Sequence, residues 1–211
     1  MPAQSNPLRL LVASSNQGKV REYRALAEAA GARVELESIP NFDRIPAFEE
    51  NAPTFAENAA GKAIHSIRYA SGIVIADDSG LVVPALGGAP GVLSARYAGP
   101  DASDADRIRK LLHEMSGMKG DDRRARFVCV LAIAESGKVC GLFSACAEGE
   151  ILEAPRGDHG FGYDPVFYFP SLGKTYAEIS REEKNLHSHR GKAFRKALEF
   201  LLTQQSPSKG T

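Results

Sequence analysis

The stretch LRLLVASSNQGKVREYRALAEAAG at residues 8–31 decides the fold of this chain. It opens with an apolar run of strand length at 8–13 and passes at once into a polar loop. From Val20 onward the apolar residues recur at helical spacing, and Gly31 provides a stop for the helix. The stretch therefore predicts a strand, a polar loop and a helix, which is the repeating unit of an α/β sheet.

Further along, strands and helices alternate before a hairpin appears. A strand is predicted at 34–39, and Thr54, with Glu57 three residues later, begins a helix that runs to about residue 71. The remaining predicted elements are a strand at 73–76, a helix at 103–115, hairpin strands at 126–134 and 139–148, a short strand at 166–169, and helices at 182–187 and 190–202. This order predicts the α/β class, with a mixed central sheet flanked by helices.

Length and charge limit what the chain does. Its 211 residues suit one domain, and we expect a single domain over 1–211 with a core at about 8–204 and a flexible tail at 205–211. Lys plus Arg and Asp plus Glu both number 26, so the formal net charge is zero. No overall positive field attracts nucleic acid or an acidic membrane, and neither is an expected partner.

The chain carries no sign of a membrane or secretory segment. No apolar run approaches the roughly 20 residues of a membrane span, and the polar N-terminus does not resemble a signal peptide. The three cysteines are odd in number and contain no CxxC pair. Reduced thiols and a cytoplasmic location are the expectation.

The polar loop after the first strand has the composition of an anion-binding turn. Exposed backbone N–H groups at a helix start attract anions, and a lysine in the first turn adds a full positive charge. The candidate triphosphate-binding residues are Ser14, Ser15, Asn16, Gln17, Gly18 and Lys19. An ordinary polar turn is equally typical of this segment taken alone. It is not a Walker A loop, because Ala13 and Val20 stand where that motif needs glycine and Ser or Thr.

Acidic residues supply candidate metal ligands. Asp77 and Asp78 are predicted to follow a buried strand, and Mg²⁺ prefers one or two carboxylates together with phosphate oxygens and water. We favour a metal site over a simple Asp-Ser-Gly turn. Glu49 and Glu50, taken alone, are more typical of solvated residues before a helix, and a further metal ligand is the alternative. Lys62 lies on a predicted helix, where its spacing is equally typical of a phosphate contact and of a solvated lysine.

The C-terminal third contributes residues suited to a base. Phe161, in the motif FGYDP of the glycine-rich stretch 157–165, is placed to stack on a base, and Asp164 to accept a hydrogen bond from base or ribose. An aromatic side chain packed under a loop is the alternative. Ser188, His189 and Arg190 precede the last helix, and two nearby histidines alone are weak grounds for a metal site. Together with the lysines and carboxylates, these residues describe a site for a magnesium-bound nucleotide.

Six motifs in order resemble the inosine triphosphate pyrophosphatase family, above all its bacterial dITP/XTP pyrophosphatases. They span about residues 9–200, and their combination is far more specific than any one motif. The motifs are SSNQGK at 14–19, TFAENA at 54–59, ADDSG at 76–80, GGAPG at 87–91 with SARY at 94–97, FGYDP at 161–165 and SHR at 188–190. Asn51-Ala52 and His159 stand where the family usually has Thr-Gly and glycine.

The resemblance implies an elongated α/β fold of two lobes with the active site in the cleft between them, a homodimer and a Mg²⁺ cofactor. It implies that Glu50 and Asp78 bind the metal, that Asp78 accepts a proton, and that Lys19, Lys62 and Asp77 support catalysis. The substrate-contacting positions that it implies are Ser14 to Lys19, Ser79, Phe161, Gly162, Tyr163, Asp164, Lys184, His189 and Arg190.

The predicted function is hydrolysis of dITP, ITP and XTP to a nucleoside monophosphate and pyrophosphate, which cleanses the nucleotide pool. Arg190 only donates hydrogen bonds, so it suits a 6-keto acceptor, whereas the 6-amino group of adenine leaves an unpaired donor costing roughly 1–3 kcal/mol. GTP also has a 6-keto group, and this argument does not explain its exclusion. A pyrophosphatase for pyrimidine triphosphates and a non-catalytic nucleotide sensor are the alternatives. A phosphotransferase is disfavoured.

Overall fold

The computed structural model describes residues 7–31 and 34–205, excluding the side chain of Gln205. Apart from Gln205, the predicted flexible tail at 205–211 lies outside the described residues, as does most of the polar N-terminus. No helix within the described ranges is long and apolar enough to cross a membrane.

The chain forms a mixed seven-stranded sheet with flanking helices, which confirms the predicted class. The strands are β1 (Leu8–Val12), β2 (Val34–Ser38), β3 (Ile73–Val82), β4 (Arg124–Glu135), β5 (Lys138–Ile151), β6 (Phe167–Phe169) and β7 (Lys174–Thr175). The helices are α1 (Gln17–Ala29), α2 (Phe55–Ser66), α3 (Asp104–Glu114), α4 (Arg181–His187) and α5 (His189–Gln205). The strand order is β2-β1-β3-β4-β5-β6-β7, with β1 parallel to β2 and β3, and β6 antiparallel to β5 and β7.

The chain divides into two compact units, whose boundaries fall within β3, β4 and β5 or at the start of α5. Unit 1 comprises Met1–Asp77, Val130–Ser144 and Gly191–Thr211, and unit 2 comprises Asp78–Cys129 and Ala145–Arg190. Unit 1 has an apolar cluster of mostly small residues, including Ala59, Ala63 and Ala76. Unit 2 has a cluster rich in aromatic residues, including Phe127, Phe167 and Tyr176. Each unit therefore has a hydrophobic core of its own.

The first strand, loop and helix form in the predicted order, but the helix begins at Gln17, so residues 17–19 of the predicted loop form its first turn. Asn16 caps α1, and its side-chain oxygen accepts a hydrogen bond from the backbone N–H of Lys19 at 3.1 Å. Val20 and Tyr23 lie on the buried face of the helix. Gly31 adopts a φ of +79°, the left-handed conformation with which many helices end.

Helix α2 begins where predicted but ends earlier. The Thr54 hydroxyl accepts from the backbone N–H of Glu57 at 3.2 Å, which confirms the cap. The α-helix ends at Ser66, and a 3₁₀ turn at Ile67–Tyr69 takes up most of the length assigned to the helix. Tightening of the last turn into 3₁₀ geometry is common at helix ends.

Strand β3 corrects the prediction for the acidic pair. The sequence places Asp77 and Asp78 after a strand at 73–76, whereas the strand runs on through Val82 and contains both residues. The strand continues because Leu81 is fully buried and because the backbone of Gly91 packs closely against Gly80. A Cβ atom at Gly80 would lie only 2.4 Å from the Gly91 carbonyl oxygen, so a residue with a side chain would not fit there. Successive side chains of a strand point to opposite faces, so the two carboxylates point apart.

Candidate active site

The loop between β1 and α1 presents the first turn of a helix together with polar side chains. Ser15, Asn16 and Gln17 are exposed, whereas Gly18 is buried. The Ser14 hydroxyl accepts from the backbone N–H of Asn16 at 3.2 Å and holds the turn. This arrangement suits an anion, because the N–H groups of a first turn lack partners within the helix.

Lys19 lies against β3 and pairs with Asp77. Its Nζ atom is 3.0 Å from Asp77 Oδ2, and the two side chains are 14% and 1% exposed. A carboxylate this deeply buried needs a cation beside it to offset its lost hydration. Asp77 therefore fixes the ammonium of Lys19 at the loop of residues 14–19.

The structure distinguishes the two glutamates of the acidic loop, which we define as residues 46–53. Glu50 is half-buried and pairs with Lys62 of α2. Glu49 is exposed and accepts a hydrogen bond from the Asn51 side chain at 2.9 Å. The carboxylate that shares a site with Lys62 is therefore that of Glu50. Lys62 forms an ion pair with this carboxylate. Helical spacing alone did not distinguish a solvated lysine from one that contacts a phosphate.

One face of α2 docks the acidic loop. Asn58 is fully buried and makes two hydrogen bonds to the backbone of Ala52, accepting from its N–H at 3.0 Å and donating to its carbonyl at 3.3 Å. These bonds satisfy both ends of the buried amide. They also fix the backbone two residues beyond Glu50.

Two further contacts hold the start of the acidic loop on the same face of α2. The Phe48 ring packs over Gly61 so closely that a Cβ atom there would lie 2.4 Å from its Cζ. His65 Nε2 lies 2.7 Å from the carbonyl oxygen of Pro46. Asn58, Gly61, Lys62 and His65 are spaced as neighbours on one helix face. Sequence analysis missed Gly61 and His65, because glycine and histidine in a helix carry no local sign of what packs on them.

Within unit 2, the polar end of β3 is joined to α5. Asp78 is 4% exposed, and its Oδ1 atom accepts from the backbone N–H of Ser79 at 2.8 Å. The Ser79 hydroxyl accepts from Arg190 Nη2 at 2.8 Å. Arg190 is 2% exposed, so its guanidinium has a defined position.

The aromatic loop, defined as residues 160–164, places Phe161 beside two cations. Lys184 Nζ lies 4.9 Å from the centre of the Phe161 ring, and Arg190 Cζ lies 5.8 Å from it. These distances are within the range of cation–π attraction. Phe161 is only half-buried, which leaves part of its surface accessible.

Asp164 and Tyr163 shape this loop from beneath. Asp164 Oδ2 pairs with Lys184 and accepts from the backbone N–H of Phe161 at 2.9 Å. Tyr163 is 3% exposed and donates its hydroxyl to the carbonyl of Ser94 at 3.0 Å. Burial raises the pKa of the Tyr163 hydroxyl, so it stays protonated as a donor. For Tyr163 the observed packing is that of an aromatic residue under a loop, and Gly162 separates it from Phe161.

His189 stacks on an aromatic ring of the unit 2 core. Its ring lies 4.8 Å from that of Phe127 with an angle of 10° between the planes, and the residue is 4% exposed. His187 instead lies near Phe169, with the ring centres 5.8 Å apart. Across the described parts of the chain, no group of three or more His, Cys, Asp or Glu residues is arranged to hold a metal ion.

The predicted site residues thus form two sets. Unit 1 brings together Lys19 with Asp77, and Lys62 with Glu50. Unit 2 brings together Ser79 with Arg190, and Phe161 with Lys184 and Asp164. Asp77 and Asp78, which are consecutive in the chain, belong to one set each.

Comparisons with known proteins agree with the motifs. A model of the Ham1 family matches residues 10–200. The chain is 53% identical to the dITP/XTP pyrophosphatase of Geobacillus kaustophilus over 187 residues, covering 89% of this chain and 91% of the relative. It is 50% identical to the dITP/XTP pyrophosphatase of Syntrophobacter fumaroxidans over 184 residues, covering 87% and 78%.

Solved structures give the same result. The HAM1 protein from Coxiella burnetii superimposes with a TM-score of 0.80 at 41% identity, covering 93% of this chain and 99% of that protein. The Ham1 protein of Staphylococcus aureus superimposes with a TM-score of 0.79 at 40% identity, covering 93% and 100%.

Proposed function

Because this chain belongs to the Ham1 family, we propose that it hydrolyses dITP, ITP and XTP to the nucleoside monophosphate and pyrophosphate. The observation that carries the proposal is the arrangement around β3. Asp77 holds Lys19 of the loop at 14–19, and the next two residues are Asp78 and Ser79, the second of which binds Arg190. One short stretch of strand therefore supports groups suited to the phosphates and groups suited to the base.

We propose that unit 1 binds the triphosphate. The backbone N–H groups at the start of α1 and the ammonium groups of Lys19 and Lys62 supply positive charge. Phosphoryl transfer depends mainly on positioning and on electrostatic stabilisation of the phosphate oxygens. Both lysines are anchored by carboxylates, which limits how far their ammonium groups stray from the phosphates.

We propose Mg²⁺ as the cofactor, with Glu50 and Asp78 as the protein ligands. The donor set fits, because Mg²⁺ takes one or two carboxylates and completes its shell with phosphate oxygens and water. A cage of three protein ligands is therefore not required. The bound ion supplies charge neutralisation at the phosphates.

Asp78 is proposed as the general base that takes the proton of the attacking water. Its Oδ1 atom accepts from the Ser79 N–H, a contact that orients the carboxylate. A positioned general base contributes roughly 10²- to 10⁴-fold to the rate. The water attacks the α-phosphorus, the bond to the β-phosphate oxygen breaks, and pyrophosphate leaves.

Unit 2 is proposed to select the base. Phe161 stacks on the base, while Arg190, fixed on Ser79, donates to the 6-keto oxygen of hypoxanthine or xanthine. Adenine presents a 6-amino donor at that position, and two donors facing each other leave a buried polar group unpaired, at roughly 1–3 kcal/mol. Selection against ATP then follows from the chemistry of a single buried guanidinium.

We also propose that the protein is a cytoplasmic homodimer. Exposed large apolar residues, among them Leu93 and Leu142, are of the kind that a subunit interface buries, and light scattering on the purified protein tests the dimer. Cys140 and Cys146 are exposed thiols, which suits a reducing compartment.

The test is a substrate panel with identification of products. Purified protein is incubated with ITP, XTP, dITP, GTP, ATP and dUTP, with and without Mg²⁺, and pyrophosphate is distinguished from orthophosphate. The expected result is pyrophosphate from ITP, XTP and dITP, only when Mg²⁺ is present. Preferential cleavage of dUTP supports the pyrimidine alternative instead, and binding without turnover supports a nucleotide sensor.

A further inference from the structure

The aromatic loop is attached to helix α3 by a side chain that no motif identified. The backbone N–H of Gly162 donates to Asp104 Oδ2 at 2.7 Å, although 58 residues separate the two in the chain. Gly162 adopts a φ of +63°, a conformation that residues with side chains rarely take. Asp104 therefore fixes the peptide that immediately follows Phe161.

Asp104 is itself held in place by Arg107. The Oδ1 atom of Asp104 pairs with Arg107 Nη2, so its two carboxylate oxygens serve two different partners. Arg107 Nη1 donates to the carbonyls of Ala95 at 2.9 Å and Ala102 at 2.6 Å. The guanidinium thus ties the carboxylate to two backbone segments within unit 2.

Capping of α3 does not account for this contact. The cap is formed by Ser103 and Asp106, whose side chains bond to each other's backbone N–H groups at 2.9 and 3.2 Å. Asp106 is directed to the helix start and Asp104 to the aromatic loop. The same helical turn therefore contains one carboxylate for the helix and one for the loop.

From these contacts we infer that Asp104, oriented by Arg107, is a positioning residue for recognition of the base. The inference rests on the proposed function, in which Phe161 stacks on the base. A bond from a charged acceptor to the neighbouring N–H fixes the backbone that directs the Phe161 ring. Without it, the bond from the Phe161 N–H to Asp164 remains, but the peptide that follows Phe161 loses its acceptor, and a base must order that peptide as it binds.

Asp104→Ala tests the inference, with Asp106→Ala as the matched control. Each variant removes one carboxylate from the first turn of α3, but only Asp104→Ala releases Gly162. The measurements are kcat and KM for ITP at saturating Mg²⁺, the Kd of IMP by calorimetry without metal, and the melting temperature. IMP carries the base without the triphosphate, so its affinity reports on the aromatic loop.

For Asp104→Ala we expect KM for ITP and Kd for IMP to rise about tenfold, the size expected for loss of a charge-assisted hydrogen bond. The value of kcat changes less than about threefold, because the interaction serves ground state and transition state alike. Asp106→Ala lowers the melting temperature at least as much and leaves both constants near the wild-type values. Arg107→Met leaves Asp104 in place but removes its ion-pair partner. This variant is expected to raise KM for ITP and Kd for IMP by a smaller factor.

Equal IMP affinity in the Asp104→Ala and Asp106→Ala variants overturns the inference, whatever their melting temperatures. If Asp104→Ala does not fold, unchanged constants in Arg107→Met overturn it instead. Wild-type protein that leaves ITP intact overturns the proposed function and the inference with it. If the wild-type protein cleaves ITP but the Asp104→Ala variant binds IMP with normal affinity, the inference is wrong and the proposed function stands.

Discussion

Two lysine–carboxylate pairs, one in each unit, have the same chemistry and different surroundings. The side chains of Lys62 and Glu50 in unit 1 are 13% and 26% exposed, whereas those of Lys184 and Asp164 in unit 2 are 7% and 4% exposed. Asp164 additionally accepts from the backbone N–H of Phe161. The deeper pair is therefore part of the framework of the aromatic loop. The shallower pair keeps its carboxylate within reach of solvent, which suits a ligand for a metal ion.

The difference shows that two ion pairs of the same residue types can differ in burial, and therefore in how much the removal of one partner destabilises the protein. Breaking a buried pair by removing one partner strands a charge and costs about 3–5 kcal/mol. Removing one partner of an exposed pair costs about 0–1 kcal/mol. Four substitutions test how far this contrast extends.

The largest effect is expected at Asp78, a buried carboxylate that we assign to chemistry. Asp78→Asn preserves the shape of the side chain but removes the proton acceptor, so turnover of ITP falls by roughly 10²- to 10⁴-fold. The circular dichroism spectrum and the melting temperature stay close to wild type. Near-normal turnover in this variant contradicts the assignment of Asp78 as general base.

Lys184→Met comes next, because it strands the Asp164 carboxylate in the unit 2 core. The free energy of unfolding, measured with urea, is expected to fall by about 3–5 kcal/mol. Lys62→Met is the matched control, since water reaches the Glu50 carboxylate and the same substitution is expected to cost less than Lys184→Met. If the free energy of unfolding falls equally in the two variants, the two pairs do not differ in their contribution to stability.

Glu50→Gln tests whether the carboxylate of the shallower pair binds the metal ion. The change removes one charge from the proposed metal ligands, so the Mg²⁺ concentration for half-maximal activity rises by about tenfold or more. The free energy of unfolding is expected to fall by less than in Lys184→Met, because water reaches the Glu50 carboxylate. Glu49→Gln alters the neighbouring, exposed glutamate and is expected to leave the Mg²⁺ dependence unchanged. A larger effect from Glu49→Gln assigns the metal to the other glutamate.

Gly61→Ala gives the smallest expected change in stability. Alanine favours the helix by about 1 kcal/mol, but its Cβ would lie 2.4 Å from Phe48 Cζ, so the ring and the acidic loop must shift. We expect little net change in the free energy of unfolding and a severalfold increase in the Mg²⁺ requirement. Adding Phe48→Leu, which shortens the clashing side chain, is expected to restore the Mg²⁺ dependence. An unchanged requirement in Gly61→Ala shows that α2 does not position Glu50.

The local parts of this molecule follow from the sequence. The strand–loop–helix at 8–31 forms as predicted, because apolar periodicity, the Asn16 cap and Gly31 act within a few residues of one another. The β4–β5 hairpin forms for the same reason, with Ser136 and Gly137 both at positive φ in its turn. The resemblance to a family, based on six motifs, indicated the reaction before any contact was known.

Contacts between residues far apart in the chain were decided only by the tertiary structure. The extension of β3 through Asp77 and Asp78 accompanies burial of Leu81, whereas the Asp-Ser-Gly segment between the two apolar runs is equally typical of a turn. The pairing of Asp104 with Gly162 is equally non-local. Sequence periodicity shows which residues turn inward, since it reflects the repeat of one helix or strand. It does not show which residue meets which, because that depends on how separate elements pack. Here packing determines which lysine each carboxylate pairs with.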